Sequence, residues 1–423
     1  MTAQTLRQNT IVQRSPIFYG WVIWFVATIG ISATSPGQSF SISLFIDHYI
    51  LDFGLDRTSV SGLYGLGTFI AALSLTWVGR RIDLHGNRMM SIAIALLFGL
   101  ALLACSLVSG AFTILISFIA IRALGQGSMG LVNSTVIAQW FHKRRGWVMA
   151  MSLVGFALFQ RFYVPQLQGF IDVHGWRNAW LLLGGAILLF VLPLLGLFLR
   201  NRPEDFGLKP DGEATSLTPG TDKIIEDNWT LIEAQRTPIF WVFIMTRVLT
   251  GAWGTALIFH QVSIFESLGY GAGVAATTYG QIALMTAGFT LFSGWLVDRL
   301  HPGKLIALQM LGLMTATALA GLMTESWLLI PYSAAFGVFM GIGSVFDGTV
   351  WVNLFGRQHQ GAIRGFVATS AVIGTSIGPL VFGLSFDTLG DYHAALLVGI
   401  VLAMMILCAA LLVKNPTRMA EAS

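Results

Sequence analysis

Residues 116–146, with the sequence ISFIAIRALGQGSMGLVNSTVIAQWFHKRRG, decide the fold. The stretch is apolar and rich in glycine, carries one charge deep inside it at Arg122, and ends in the basic run 142–145. A charge at the centre of a membrane helix costs about 3 kcal/mol, and basic runs stay on the cytoplasmic side of a membrane. The stretch therefore predicts a membrane helix in which Arg122 marks a functional position and residues 142–145 fix the orientation.

The composition is typical of an integral membrane protein. Of the 423 residues, 55% are hydrophobic and only 10% are charged, whereas soluble chains carry about 25% charged residues. The net charge of +4 comes from basic residues clustered at helix ends, so it does not indicate nucleic-acid binding. The sequence shows no metal-ligand spacing, nucleophile elbow or phosphate-binding loop, and we expect neither an enzyme nor a bound metal or cofactor.

Apolar segments of about 20 residues or more, long enough to cross a bilayer, recur along the chain. About twelve of them fall near residues 17–46, 57–79, 89–109, 112–140, 147–171, 178–199, 239–266, 272–297, 304–323, 327–354, 363–386 and 392–413. We therefore predict an all-α integral membrane protein. Its parts are an N-terminal six-helix bundle (1–199), a linker (200–237) and a C-terminal six-helix bundle (238–423). In the linker, Thr230 and Glu233 have the spacing of a capping box, which predicts a short helix.

The distribution of lysine and arginine predicts the topology. If the N-terminus is cytoplasmic, only Arg57 and Arg177 fall on the outer side, and all the lysines and arginines that flank the other segments fall on the cytoplasmic side. The positive-inside rule favours this orientation. We expect a multi-pass protein of the plasma (inner) membrane with both termini and the linker in the cytoplasm.

An internal repeat joins the two sets of segments. Tyr64-Gly65, Gly79 and Asp83 recur at the same spacing as Tyr279-Gly280, Gly294 and Asp298, and other repeated residues keep an offset of about 215 to 222 positions. A parallel repeat of two six-helix halves implies a pseudo-twofold axis along the membrane normal. It also implies a binding site near the midplane.

These residues carry a family resemblance. Gly79-x-x-x-Asp83-x-x-Gly86-x-Arg88 resembles the loop motif of the major facilitator superfamily, and Arg122 followed by Gly125, Gly127 and Gly130 resembles its helix 4 motif. Within that superfamily, Tyr19-Gly20-Trp21 and the run 140–145 resemble the monocarboxylate-porter and oxalate-formate antiporter group. The resemblance implies about twelve transmembrane helices in two pseudo-symmetric halves, transport by alternating access, and a cavity lined by helices 1, 4, 7 and 10.

The sequence departs from this group at two places. Relatives often carry an arginine in helix 8, but residues 272–297 contain none, and the lysine that oxalate-type relatives carry in helix 11 has no counterpart within 363–386. The substrate of the group therefore does not transfer to this chain.

The candidate binding residues centre on two arginines near the predicted midplane, Arg122 in helix 4 and Arg161 in helix 5. Polar residues within the predicted spans complete the set: Gln126, Asn133, Gln168, Tyr64, Tyr279 and Gln281. An arginine fork matches the geometry of a carboxylate. Either arginine could instead be a packing residue satisfied by backbone carbonyls. This alternative is stronger for Arg122, because the family motif places an arginine there in transporters of many different substrates.

Six further charged residues have predicted roles: one pair of opposite charge in proton coupling, and four residues in gating. Arg247 in helix 7 and Asp347 in helix 10 lie at matched depth, about nine residues from the cytoplasmic ends. They predict a proton-coupling pair, with a static salt bridge as the alternative. The doubled loop motif predicts a gate that latches one state of the transporter, formed by Asp83, Arg88, Asp298 and Arg299.

Together the residues predict a proton-coupled symporter of small organic anions, most simply monocarboxylates, working as a monomer in the lipid bilayer. Three arginines against one buried aspartate suit an anion, and one co-transported proton cancels its charge. Two alternatives remain: a transporter that exports or exchanges dicarboxylates or other amphipathic compounds, and a membrane sensor that does not transport. Export of amphipathic or cationic compounds would favour buried acids in the first half, which are absent, and a sensor would need an added signalling domain.

Overall fold

The computed structural model describes residues 12, 14–141, 144–212, 229–297, 299–355 and 360–413. All regular secondary structure in these ranges is helical, which confirms the all-α prediction. Many large apolar side chains on the helix surfaces are exposed, among them Leu189, Phe190 and Leu412. A surface of this kind suits lipid rather than water.

Ten α-helices in the first half of the chain have described bounds. Their bounds are α1 (Gly20–Ser32), α2 (Ser39–Ile42), α3 (Ile46–Phe53), α4 (Arg57–His85), α5 (Asn87–Cys105), α6 (Ala111–Ile121), α7 (Gly130–Trp140), α8 (Arg145–His174), α9 (Trp176–Ala186) and α10 (Leu192–Phe198). Two π-helical stretches, Arg122–Met129 and Ile187–Val191, join α6 to α7 and α9 to α10. Short 3₁₀ helices occupy Ser35–Gly37, Pro203–Phe206 and Pro210–Gly212.

The second half holds eight α-helices among its described residues. Their bounds are α11 (Leu231–Gln235), α12 (Pro238–Phe259), α13 (Gln261–Ser267), α14 (Ala272–Val297), α15 (Pro302–Leu322), α16 (Leu329–Phe355), α17 (Gln360–Leu389) and α18 (His393–Leu412). A 3₁₀ turn, Ser326–Leu328, precedes α16. The short helix α11 begins with the predicted capping box, in which the Glu233 carboxylate accepts from the Thr230 amide at 2.7 Å.

Eleven stretches among the described residues are long and apolar enough to cross a membrane, where about twelve were predicted. The difference lies in the first predicted segment, 17–46, which the structure breaks into α1, a 3₁₀ turn and α2. Pro36 and Gly37 interrupt the helix. The hydroxyls of Thr34 and Ser35 donate to carbonyl oxygens of the preceding turn at 2.7 Å, which satisfies backbone groups at the break.

The chain forms two compact units, which are described separately. One comprises Met1–Gly54 and Leu66–Gly220, and the other comprises Leu55–Gly65 and Thr221–Ser423. The division after Gly220 falls inside the predicted linker. The first turns of α4 pack with the second unit while the rest of α4 packs with the first, a feature that the sequence did not predict.

Small residues let helices approach closely in both units. In the first, a Cβ on Gly125 would overlap the ring of Phe98 and lie 3.3 Å from the Cα of Gly37. In the second, Cβ atoms on Gly374 and Gly378 of α17 would overlap carbonyl groups of α12. This is the small-residue packing typical of membrane helices, and it explains the glycine-rich pattern that follows Arg122.

Candidate functional site

Arg122 lies buried at the start of the π-helical stretch, with 5% of its surface exposed. Its Nε donates to the Thr68 hydroxyl at 3.1 Å, and its Nη1 donates to the carbonyl oxygen of Gly37 at 3.2 Å. Gly37 lies in the break of the first membrane segment, where carbonyl groups leave the helical ladder. The arrangement favours a positioning role for Arg122, in which its charge holds α4 and the broken segment against the π-helical stretch.

The π-helical stretch changes which polar residues share a face with Arg122. The sequence predicted one stripe through Gln126 and Asn133 on the assumption of an α-helical period. The extra residue per turn of a π-helix shifts that register. Gln126 is exposed, whereas Asn133 is fully buried and donates from Nδ2 to the carbonyl oxygen of Met129 at 2.8 Å.

Arg161 has a different environment on α8. Its side chain is half-buried, and in the described part of the chain it makes no hydrogen bond, ion pair or ring contact. The predicted partner on the same face, Gln168, is buried and donates to the Asp172 carboxylate at 2.7 Å. In the described part of the chain Arg161 thus lacks the kind of hydrogen bonds that engage Arg122, and its role in binding stays a prediction.

Arg247 lies one turn past Phe243 on α12. The rings of Phe243 and Trp351 are 5.4 Å apart, and further along the antiparallel pair a Cβ on Gly254 would touch Met340. Counting one turn along each helix from the Phe243–Trp351 contact reaches Arg247 on α12 and position 347 on α16, because residues four apart share a helix face. By this count the two positions are at similar depth, but the side chain of Asp347 lies outside the described residues, so the coupling pair stays a prediction.

The remaining predicted binding residues belong to the second unit, and each has its own contacts there. In the second unit, Tyr64 is buried with its ring 4.3 Å from that of Phe259, and Tyr279 donates to the carbonyl oxygen of Ile258 at 2.7 Å. Gln281 is half-buried and accepts from the Ser333 hydroxyl at 3.4 Å. These side chains take part in helix packing in the present conformation.

The predicted gate is described in part. Arg88 is exposed and donates from Nη2 to the carbonyl oxygen of Gly196 at 2.8 Å, and its amide donates to Asn201 at 2.8 Å. The guanidinium of Arg299 lies 4.1 Å from the ring centroid of Trp295. The other two gate positions are outside the described atoms: the side chain of Asp83 and the whole of Asp298.

The two predicted outer arginines both have partners. Arg177 donates to the Asp52 carboxylate at 2.9 Å and lies 4.1 Å from the Trp176 ring centroid. Hydrogen bonds from Arg177 and then Trp176 hold the pKa of Asp52 below its usual value. Arg57 lies 5.0 Å from the ring centroid of Phe386.

Sequence reasoning missed Thr68, the Gly37 carbonyl and His260. Thr68 lies one turn past Tyr64 on α4, and no pattern in the sequence distinguishes it from neighbouring hydroxyls. The Gly37 carbonyl is a backbone group, so the sequence indicates it only through the Pro36-Gly37 dipeptide that breaks the helix. His260 offered a signal that went unused: it is a titratable residue inside the apolar segment 239–266, and the structure buries it.

Comparisons with known proteins identify the family. The family profile described as Major Facilitator Superfamily matches residues 25–346, more than half of the chain, and this confirms the resemblance seen in the sequence. The probable nitrate/nitrite transporter NarK2 of Mycobacterium tuberculosis is 25% identical over 384 residues, which cover 84% of this chain and 87% of that protein. The oxalate:formate antiporter of Oxalobacter formigenes is 24% identical over 373 residues, 85% of this chain and 84% of that protein.

A solved structure shows the same fold. The D-xylose-proton symporter superposes with a TM-score of 0.69 at 16% identity, covering 94% of this chain and 98% of the symporter. All three named proteins are transporters, which bears out the expectation that the chain is not an enzyme.

Proposed function

We propose that this chain, which belongs to the Major Facilitator Superfamily, is a proton-coupled symporter of small organic anions. It is a multi-pass membrane transporter of small solutes. The proposal concerns the substrate and the driving force: a monocarboxylate enters together with a proton by alternating access. The transporter works as a monomer in the inner membrane, and both of its termini face the cytoplasm.

One observation carries the proposal, the state of Arg161. A half-buried guanidinium inside a membrane helix is costly, and in the described part of the chain no acceptor offsets that cost. Arg122, by contrast, already donates to Thr68 and Gly37. A bound carboxylate would supply Arg161 with two acceptor oxygens in the planar geometry that its fork fits.

The relatives support an anion as the substrate. The names of the two relatives describe transport of nitrate and nitrite in one case and of oxalate and formate in the other. All four are small anions with oxygen atoms in a plane. The transported anions differ in charge and size, so the relatives support only the class of small anions. The choice of a monocarboxylate rests on Arg161.

Charge balance supports proton coupling. Moving a monoanion inward against a negative-inside potential costs about 2.3 kcal/mol per 100 mV, and one proton moving with it cancels that charge. The helices that carry Arg247 and Asp347 make contact one turn from these positions, where the rings of Phe243 and Trp351 are 5.4 Å apart. In the proposed cycle Asp347 takes up the proton, its hold on Arg247 weakens, and the loop motifs at 79–88 and 294–299 release.

Ligand binding to the purified protein tests the anion claim. Thermal unfolding is measured with formate, acetate, lactate and oxalate, since a ligand at 100 times its Kd stabilises the folded protein by about 2.7 kcal/mol. We expect at least one carboxylate to raise the Tm of the wild type and of the control Arg236→Ala, whose arginine is exposed outside the spans, but not of Arg161→Ala. An equal rise in Arg161→Ala would refute the proposed site.

A further inference from the structure

The first turns of α4 pack tightly against α17 in the second unit. A Cβ on Gly383 would lie 3.0 Å from the Ser61 hydroxyl and 3.1 Å from the Cα of Thr58. The amide of Thr58 donates to the Asp387 carboxylate at 2.7 Å. This end of α4 begins at Arg57, one of the two arginines predicted to lie on the outer side.

His260 lies at the centre of this packing, where α12 ends, with 1% of its surface exposed. Its Nε2 lies 2.9 Å from the carbonyl oxygen of Pro379 on α17 and 3.4 Å from the hydroxyl of Ser61 on α4. Its Nδ1 lies 3.4 Å from the hydroxyl of Tyr392. One imidazole thus contacts α4, α17 and the turn before α18.

The hydrogen bonds define where a second proton would go. A carbonyl oxygen only accepts, so Nε2 carries the proton of the neutral ring and donates to Pro379. Tyr392 donates to the Ser263 hydroxyl at 2.9 Å, and a proton on Nδ1 would point at the Tyr392 oxygen, 3.4 Å away. The ring can therefore take up a proton without losing a hydrogen bond.

The positive charge of that proton has no compensation at the ring. Among the described residues, no carboxylate lies within hydrogen-bonding distance of His260, and the rings of Phe259 and Phe382 border it. Burial of an unpaired charge in apolar surroundings disfavours the charged form. Protonation should therefore weaken the packing that surrounds the ring.

The charged groups around the ring do not reverse this balance. On α4, Arg57 has the same sign as an imidazolium and opposes it. On α17, Asp387 accepts from the Thr58 amide, and on α13 Glu266 is exposed. In the turn before α18, Asp391 pairs with the exposed His393 at 3.1 Å. His393 is the other titratable imidazole of this region and provides a matched control.

We propose that His260 is a proton-binding site that controls the packing of α4 on α17. The neutral ring fits this apolar packing beside Ser61 and Pro379, whereas the buried charge of the imidazolium favours a state in which the helices separate and water reaches the ring. Because this end of the helices is predicted to face outward, protons from outside would open it for substrate. The inference adds a second proton site to the one proposed at Asp347, and it holds whatever substrate the protein carries.

The distance between spin labels on the two helices tests the proposal. Labels are placed at Ser59→Cys and Leu389→Cys, both exposed, after Cys105 and Cys408 are replaced by serine, and the protein is studied in nanodiscs without substrate. Histidine titrates near pH 6.5 in water, so a change from about pH 8 to about pH 5 can multiply the ratio of released to packed molecules by up to about 30.

We expect the fraction with long label distances to rise in acid in the wild type and in His393→Gln, and to stay constant in His260→Gln and His260→Asn. An unchanged distance in the wild type would overturn the proposal, and this arm requires no variant at the histidine to fold. A response that persists in His260→Gln, or that disappears in His393→Gln, would overturn it as well. Because no anion is present, these results do not depend on the anion-binding claim.

Discussion

The guanidinium of Arg122 donates from Nη1 to the carbonyl oxygen of Gly37 at 3.2 Å, which joins the arginine of the helix 4 motif to the break in the first membrane segment. Its Nε is engaged by Thr68 at 3.1 Å. These contacts favour a positioning role for Arg122, whereas we propose Arg161 as the arginine that binds the ligand. The two arginines thus have separate proposed roles.

Replacing Arg122 should lower stability as well as transport. Arg122→Lys keeps the charge but cannot reach Thr68 and Gly37 with a rigid fork, so buried acceptors lose their donor at a cost of about 1–3 kcal/mol. Thermal unfolding in detergent measures this loss. Thr68→Val, which removes one acceptor and leaves Gly37 paired, should cost less. An unchanged Tm in Arg122→Lys would contradict the positioning role.

Replacing Arg161 should lower anion affinity and leave the fold intact. Arg161→Lys keeps the charge and loses the two-pronged geometry, and we expect carboxylate affinity to fall about tenfold, or about 1.4 kcal/mol. Arg161→Ala should bind more weakly still. Isothermal titration with the best carboxylate ligand checks this order. Equal affinity of the lysine variant and the wild type would show that charge alone is recognised.

Much of the fold followed from hydrophobic length and charge placement. The spans after residue 57 were predicted because a bilayer requires long apolar helices, and all of them have helical counterparts. The break at Thr34–Gln38 was not predicted, since the apolar run continues through it and the hydroxyls that satisfy the broken turn resemble any other polar residues. The capping box at Thr230 was predicted because its residues act locally.

The candidate site was less predictable, because it depends on helix register. Gln126 was assigned to the face of Arg122 on an α-helical period that the π-helical stretch does not keep. The partners of Arg122 come from other helices, at a backbone carbonyl and a common hydroxyl. Arg247 and Asp347 were paired by depth alone, and this pairing stays a prediction because the side chain of Asp347 lies outside the described residues.

The outer ion pair predicts a pH dependence of stability. The folded pKa of Asp52 is lowered, so its contribution is present above the ordinary pKa of about 3.9 and is lost as pH falls toward the folded value. The pair is partly exposed, so Arg177→Gln should cost under about 1 kcal/mol. The Tm difference between variant and wild type should be constant from about pH 7 to about pH 5 and shrink below about pH 4. A difference that grows in acid would refute the assignment.

Helix contact at Gly378 predicts a strong steric effect. An added methyl group would overlap the carbonyl of Ala252, so Gly378→Ala should destabilise the second unit by about 1–3 kcal/mol. Gly288→Ala is the matched control, because a Cβ there meets no atom within 4 Å. It should be neutral or stabilise by up to about 1 kcal/mol. Equal Tm changes in the two variants would show that α12 and α17 do not pack closely in the membrane.

Uptake into proteoliposomes tests the central claim most directly. A radiolabelled monocarboxylate is supplied outside, with an imposed inward proton gradient, and accumulation is compared between the wild type and Asp347→Asn. We expect the wild type to concentrate the anion only while the gradient lasts, and Asp347→Asn to exchange anion without concentrating it. Accumulation that does not depend on the proton gradient, or that persists in Asp347→Asn, would contradict proton-coupled symport through this site.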